Sequence, residues 1–242
     1  MEPRYPSLMQ PPVAFARVST SDGKDASGAL AGYAAALEAG ATGLEAQVHL
    51  TAEGEPVLHP EPYVRSGLRR RPLNDLAQTE LPSSIPTLGE LYQACGTEFE
   101  LALDTDDDPA AAAAVAVARE AGQDAEARLW LCASDHRRAA SWRRISEHAR
   151  LVEVTGLRRM GTGPERRAAV LTQLGVDAIR LPETDWSAGL TTLFHRFGRL
   201  ALAGAAPHRR QLDALLAMGV DGIASEHADR VAEALAALPA RA

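Results

Sequence analysis

The chain reads as a (β/α)8 barrel, and three observations carry that reading. One local pattern recurs at 37–44, 173–179 and 217–223, with a looser copy around Gly122. Each copy runs from an amphipathic helix through a glycine and a short connection into an apolar strand. A glycine at that place takes the left-handed conformation that ends a helix, so each copy is half of a βαβ unit. Strands and helices then alternate eight times, in a length that suits a closed parallel barrel. Finally, no Gly-x-Gly-x-x-Gly fingerprint follows the first strand, which removes the main support for an open doubly wound sheet.

The elements follow in order. Strands are expected at 13–17, 43–48, 99–104, 128–132, 151–155, 178–181, 200–203 and 222–225. Helices are expected at 29–39, 87–94, 109–121, 137–148, 164–174, 188–196, 207–218 and 227–237. Pro109, Pro164 and Pro207 stand in first helical turns, where a missing amide proton costs nothing. The expected layout is an N-terminal extension over 1–12, then one barrel domain over 13–238 with a small hairpin after the second strand. In such a barrel, functional groups gather at the C-terminal ends of the strands.

Composition narrows the class. The 242 residues are 46% hydrophobic and carry 25 Lys and Arg against 32 Asp and Glu, a formal charge of −7. That acidity gives no electrostatic case for nucleic acid or an anionic membrane. The opening MEPRYPSLMQPPV lacks a charged-then-apolar leader, and no apolar run is long enough for a membrane span. Cys95 and Cys132 are neither a disulfide framework nor spaced as metal ligands. The expectation is a cytoplasmic protein with inert thiols.

The stretch GLEAQVHLTAEGEPVLHPEP, residues 43–62, is the densest in potential chemistry. Strand alternation places Glu45, Gln47 and His49 on one face and Leu44, Ala46 and Val48 on the other. The apolar face belongs under the helices, so Glu45 and Gln47 point into the barrel mouth. An unpartnered glutamate there costs several kcal/mol or takes up a proton, so Glu45 needs a metal, a cation or water. Gly54 marks the apex of a turn, and a short strand returns after it.

Here the residues resemble a known family. ALEAGATGLEAQVHLTAEGEPVLHPEP (36–62) is similar to the glycerophosphodiester phosphodiesterase pattern of an ELD strand, a turn and an HD pair. LNDLAQTELPSSIPTLGELYQA (73–94) and LLAMGVDGIASEHADRVAEAL (215–235) resemble later segments of the same family in the same order. The resemblance implies a barrel of the PLC-like phosphodiesterase type. It also implies cleavage of glycerophosphodiesters to an alcohol and glycerol 3-phosphate. The family uses Mg²⁺ or Ca²⁺ held by acidic residues, two histidines as acid and base, and an arginine and a lysine on the phosphate.

Carried over position by position, the scaffold persists and the functional groups do not. The AHRG motif falls on Phe15, Ala16, Arg17 and Val18, so the arginine stays and alanine replaces the first histidine. The glutamate of PENT is Ser27. ELD becomes Glu45, Ala46 and Gln47, and HD becomes Pro60 and Glu61. A one-residue shift makes His59 a candidate for the second histidine. EIK becomes Asp104, Thr105 and Asp106, which reverses the lysine charge, and WTVN falls on 204–207. The implied metal set is therefore Glu45, Gln47 and Asp104, a weak oxygen site for Mg²⁺ or Ca²⁺. Arg17 is the implied phosphate contact.

Neither Ala16 nor Pro60 can transfer a proton, and acid–base assistance is commonly worth about 10²–10⁴-fold. The expectation is a homologue that has lost most or all of the family reaction and keeps a binding, regulatory or structural role. A small phosphoester or a protein would be its partner. The alternative is a phosphoric diester hydrolase with a remodelled site built on Glu45, Asp104 and His59 or Glu61. Arg17 either binds an anion or pairs with Glu45 or Asp104. His49 reads as a polar rim residue. The later part of 104–108 reads as an N-cap and acidic first turn. Ser134, Asp135 and His136 read as a helix cap rather than a catalytic group. Arg65, Arg69, Arg70 and Arg71 form a basic loop, solvated or phosphate-binding, while His195, Arg196 and Arg199 read as surface charge.

Overall fold

The computed structural model describes residues 6–18, 26–66, 69–204, 206 and 208–237. In chain order the elements are β1 (Val13–Arg17), α1 (Ala26–Glu38), β2 (Gly43–Leu50), β3 (Pro56–Leu58), β4 (Tyr63–Ser66) and β5 (Arg69–Pro72). Next come α2 (Leu88–Cys95), β6 (Glu100–Asp104), α3 (Asp108–Ala121), α4 (Gln123–Ala127), β7 (Leu129–Ala133) and α5 (His136–Ser141). The remainder is β8 (Arg150–Val154), α6 (Pro164–Leu174), β9 (Ala178–Pro182), α7 (Ala188–Arg196), β10 (Leu200–Gly204), α8 (Arg209–Met218), β11 (Gly222–Ser225) and α9 (Ala228–Ala236).

Eight of these strands run parallel and close on themselves in the order β1-β11-β10-β9-β8-β7-β6-β2, with β2 returning to β1. This is the (β/α)8 barrel that the alternation predicts. β2 continues past the barrel to Leu50 and pairs antiparallel with β3, the predicted hairpin. A second hairpin, β4–β5, lies apart from the barrel sheet and turns the expected basic loop into two strands.

Alternation sorts each strand into two faces. Phe15, Ala102, Trp130, Val152 and Leu202 fill the barrel interior. Leu44, Leu103, Leu131, Ile179 and Ile223 pack outward beneath the helices. Phe15 and Trp130 meet edge to face at 5.5 Å, the arrangement aromatic quadrupoles favour. Two of the recurrent glycines act as predicted. Gly175 and Gly219 sit at φ 70 and 83, ending α6 and α8.

Several boundaries differ from expectation. The helix expected over 137–148 stops at Ser141 and continues only as a 3-10 turn, Trp142–Arg144. Beyond it, Ser146 Oγ accepts from the amides of His148 and Ala149, and Arg143 binds the carbonyls of Ser146, Glu147 and Ala149. Those backbone groups would otherwise serve a helix ladder. Thr87 and Glu90 form a reciprocal capping box at the start of α2. Asp107 precedes α3 but makes no side-chain cap bond, while Asp106 bonds Ser134 and Asp108 bonds Trp142. Pro207, expected to open the eighth helix, lies outside the described residues, as does Ala205.

The described part of the N-terminal extension closes the barrel base. Asp221 is fully buried and accepts Ser7 Oγ at 2.7 Å and the amides of Leu8 and Met9 at 2.6 and 3.1 Å. Its other oxygen meets His195 Nε2 at 2.8 Å and Ala201 N at 2.7 Å. His195 is thus a buried partner, not the surface charge its charged neighbours in sequence suggest. Among the described residues no helix is long and apolar enough to cross a membrane.

Candidate functional site

Four strands bring a charged side chain into the mouth of the barrel: Arg17 from β1, Glu45 from β2, Asp104 from β6 and Arg180 from β9. The register sets them close, with Arg17 beside Glu45 and Gln47 beside Asp104. Arg17 Nη2 pairs with Glu45 Oε1. Arg180 reaches the same oxygen through Nη1 at 3.2 Å and pairs with Asp104 Oδ1 through Nη2. The order Arg17–Glu45–Arg180–Asp104 is an alternating chain of charge across the mouth.

Burial grades along this chain. The side chains of Glu45 and Arg180 are 2% and 8% exposed, Asp104 25% and Arg17 42%, so Arg17 is the cation that faces outward. Burial alone would raise the Glu45 carboxyl, but the charges of Arg180 and then Arg17 outweigh it and hold it below its ordinary value. Burial raises the Asp104 carboxyl; Arg180 opposes that and the nearby Glu45 charge adds to it. Burial works against the charge on Arg180, yet Glu45 and Asp104 hold that guanidinium above its ordinary value. Glu45 Oε2 is buried with no hydrogen-bond partner.

Two clefts adjoin this chain. One, of about 310 Å³, is lined by Arg17, Tyr33, Glu45, Gln47, His59, Pro60, Glu61 and Asp104. The other, of about 440 Å³, lies across Gln47 and Asp104 and includes His49, Asp106, Asp107, Ser134 and Arg180. Burial, and then the neighbouring His59, lower the His49 pKa, so its ring is neutral near pH 7. Its Nε2 is buried without a partner. His49 lies near the end of β2, half-buried, and lines the second cleft. His59 Nδ1 stands 2.7 Å from the Glu61 carbonyl.

The remaining predicted positions separate into two groups. Arg17, Glu45, Gln47, His59, Pro60 and Asp104 converge on one cleft. Ala16 does not join them; its methyl is 2% exposed and packs into the layer under the helices. Ser27 is an exposed residue of the first turn of α1. Asp135 caps α5, accepting the amides of Arg137 and Arg138 at 2.9 and 3.0 Å. His136 turns away from the mouth toward Glu153, at 3.4 Å.

Arg180 is the residue that sequence reasoning missed. A signal was present: AIRLP puts a lone cation on the inward parity of an otherwise apolar parallel strand. The donor set also bears on a divalent ion. The space between Glu45 and Asp104 holds a guanidinium, Gln47 is neutral, and no group of three or more His, Cys, Asp or Glu among the described residues is placed to hold an ion. These residues do not fit Mg²⁺ or Ca²⁺, which need several free oxygen ligands.

The chain matches no protein-family model and no curated protein sequence. Solved structures do share its fold. A phosphodiesterase from Oleispira antarctica, in complex with the product sn-glycerol-3-phosphate, aligns at TM-score 0.77 and 17% identity over 93% of this chain and 97% of that one. A glycerophosphodiester phosphodiesterase from Thermotoga maritima aligns at TM-score 0.73 and 14% identity over 90% and 95%. Another from Parabacteroides distasonis aligns at 0.71 and 15% over 93% and 96%.

Proposed function

We propose that this barrel belongs to the glycerophosphodiester phosphodiesterase family and that its mouth binds a small phosphoester without the family's metal-dependent cleavage. The observation that carries this reading is the guanidinium of Arg180 between Glu45 and Asp104. A fixed cation there pairs with one oxygen of each of the two carboxylates a metal would need, and a guanidinium activates no water. The resemblance of 36–62 and 215–235, together with the shared barrel, supports the family. Ala16 and Pro60 at the histidine positions support loss of acid–base transfer. Arg17, the outermost charge of the chain, receives the ligand's phosphate by charge-assisted hydrogen bonds. Asp106, where the family has a lysine, is held by Ser134 and adds no positive charge.

The experiment is a panel of glycerophosphodiesters incubated with purified protein, with Mg²⁺, Ca²⁺ or chelator, scored for glycerol 3-phosphate. No release above blank is expected, and no dependence on metal. Metal-dependent release that disappears in Glu45→Ala would overturn the reading.

A second reading keeps catalysis at a remodelled site, and one observation favours it. His49, with a neutral ring and a free Nε2, and His59 line adjoining clefts around Gln47. One could take a proton while the other gives one. Chelator-insensitive release that follows a bell-shaped pH profile and is lost in His49→Gln would select this reading instead.

A further inference from the structure

The β4–β5 hairpin begins two residues after Glu61, which lines the mouth cleft, and it carries four arginines. Its ladder pairs Tyr63 with Pro72, Val64 with Arg71, Arg65 with Arg70 and Ser66 with Arg69. Val64 is buried against Leu73, Leu76 and Ile85, while every residue of β5 is exposed. Tyr63, Arg65 and Arg70 share the face opposite Val64, and both arginines are exposed.

Directly opposed residues of an antiparallel pair have Cβ atoms about 5 Å apart, and like charges in that relation repel. Arg65 and Arg70 are such a pair. Arg70 stacks over the Tyr63 ring at 4.6 Å, which fixes its guanidinium on the face opposite Val64. Arg71, on the other face, is neutralised by Glu80 at 3.1 Å. No described carboxylate comes within ion-pair distance of Arg65 or Arg70. In a chain of net charge −7, two cross-strand arginines without a counter-charge among the described residues form a local site for an anion.

We propose that Arg65 and Arg70 form a phosphoryl-binding clamp for a small soluble phosphoester, with Tyr63 holding one arm. A shared oxyanion relieves the repulsion between the two guanidiniums and accepts donors from both. A lipid surface is the weaker fit. Each surface arginine contributes only about 1 kcal/mol there, and the acidic body opposes approach. The clamp is separate from Arg17, so its fate does not depend on the reading of the barrel mouth.

The test is a titration of ¹⁵N-labelled protein with inorganic phosphate and with glycerol 3-phosphate, followed at the arginine Nε–H signals. Wild type, Arg65→Ser, Arg70→Ser and Arg17→Ala are compared, and vesicles with and without phosphatidylglycerol form a second arm. Saturable shifts of the Arg65 and Arg70 signals are expected. Each serine variant weakens that binding at least about tenfold, by loss of charge-assisted bonds, and Arg17→Ala leaves it unchanged. Melting temperatures of the serine variants stay level or rise, since a repulsion is removed, which separates lost binding from lost folding. Absence of saturation below about 10 mM phosphate, equal binding by the serine variants, or binding confined to anionic vesicles would each overturn the clamp.

Discussion

The guanidinium of Arg180 stands between the carboxylates of Glu45 and Asp104, with Nη1 3.2 Å from Glu45 and Nη2 paired with Asp104. Its side chain is 8% exposed, so it holds two partly desolvated acids together inside the barrel. Removing one member of such a set leaves buried charge uncompensated, at a cost of about 3–5 kcal/mol. Arg180→Met is therefore expected to lower stability by that amount in urea unfolding. The same variant frees oxygen donors, so about 10 mM Mg²⁺ or Ca²⁺ should raise its melting temperature by linkage and leave wild type unmoved.

Arg17 occupies the open end of the same chain. Its side chain is 42% exposed, so its pair with Glu45 contributes little to stability once solvent screening is counted. Arg17→Ala should cost less than about 1 kcal/mol in unfolding while weakening glycerol 3-phosphate binding at the mouth about tenfold or more. Calorimetric titration checks the second quantity and denaturant melts the first. Full binding in the variant would remove Arg17 from the ligand site.

Glu153 supplies a pH dependence of known sign. It is buried between β8 and the helices, paired with Arg167 at 2.7 Å, with Oε2 left without a partner. Burial first, opposed by Arg167 and reinforced by Asp135, pushes its carboxyl up to about 7. His136 and Arg159 complete the charged groups around it. Because the folded state holds this proton more tightly than the unfolded chain, its contribution is fully present below the unfolded value of about 4.5 and is lost as pH rises through about 7. Glu153→Gln cannot titrate, so the difference in melting temperature between the two proteins should change across that window and be flat outside it.

Asp221 joins the N-terminal segment to the barrel base through five donors: Ser7 Oγ, the amides of Leu8, Met9 and Ala201, and His195. Asp221→Ala would leave several buried donors unsatisfied, each at about 1–3 kcal/mol, with part recovered by water at the segment's exposed edge. The expected loss is several kcal/mol. The amides of Leu8 and Met9 should lose hydrogen-exchange protection first, and a variant that kept their protection would contradict the staple.

Much of the site was already legible in residue order. Strand parity placed Glu45, Gln47 and Asp104 inside the barrel, and their register in β1, β2 and β6 agrees. Arg17 was read as an anion contact or as a partner of Glu45 or Asp104; it pairs with Glu45 while its side chain stays 42% exposed. His195 was misread as surface charge because whether a histidine is exposed depends on what packs over it, here Asp221.

Architecture in this chain follows from local rules. Glycines end helices, prolines open them, and apolar alternation marks which face of a strand is covered, so eight units and their order can be read without coordinates. The chemistry of the mouth is not local. Arg180 and Asp104 are 76 residues apart and belong to strands that are not neighbours, so only closure of the barrel aims both side chains at one point. Charge in so confined a space is decided by what else is buried there. Residue order shows the acids that a metal would use, and the folded barrel supplies the arginine that answers them.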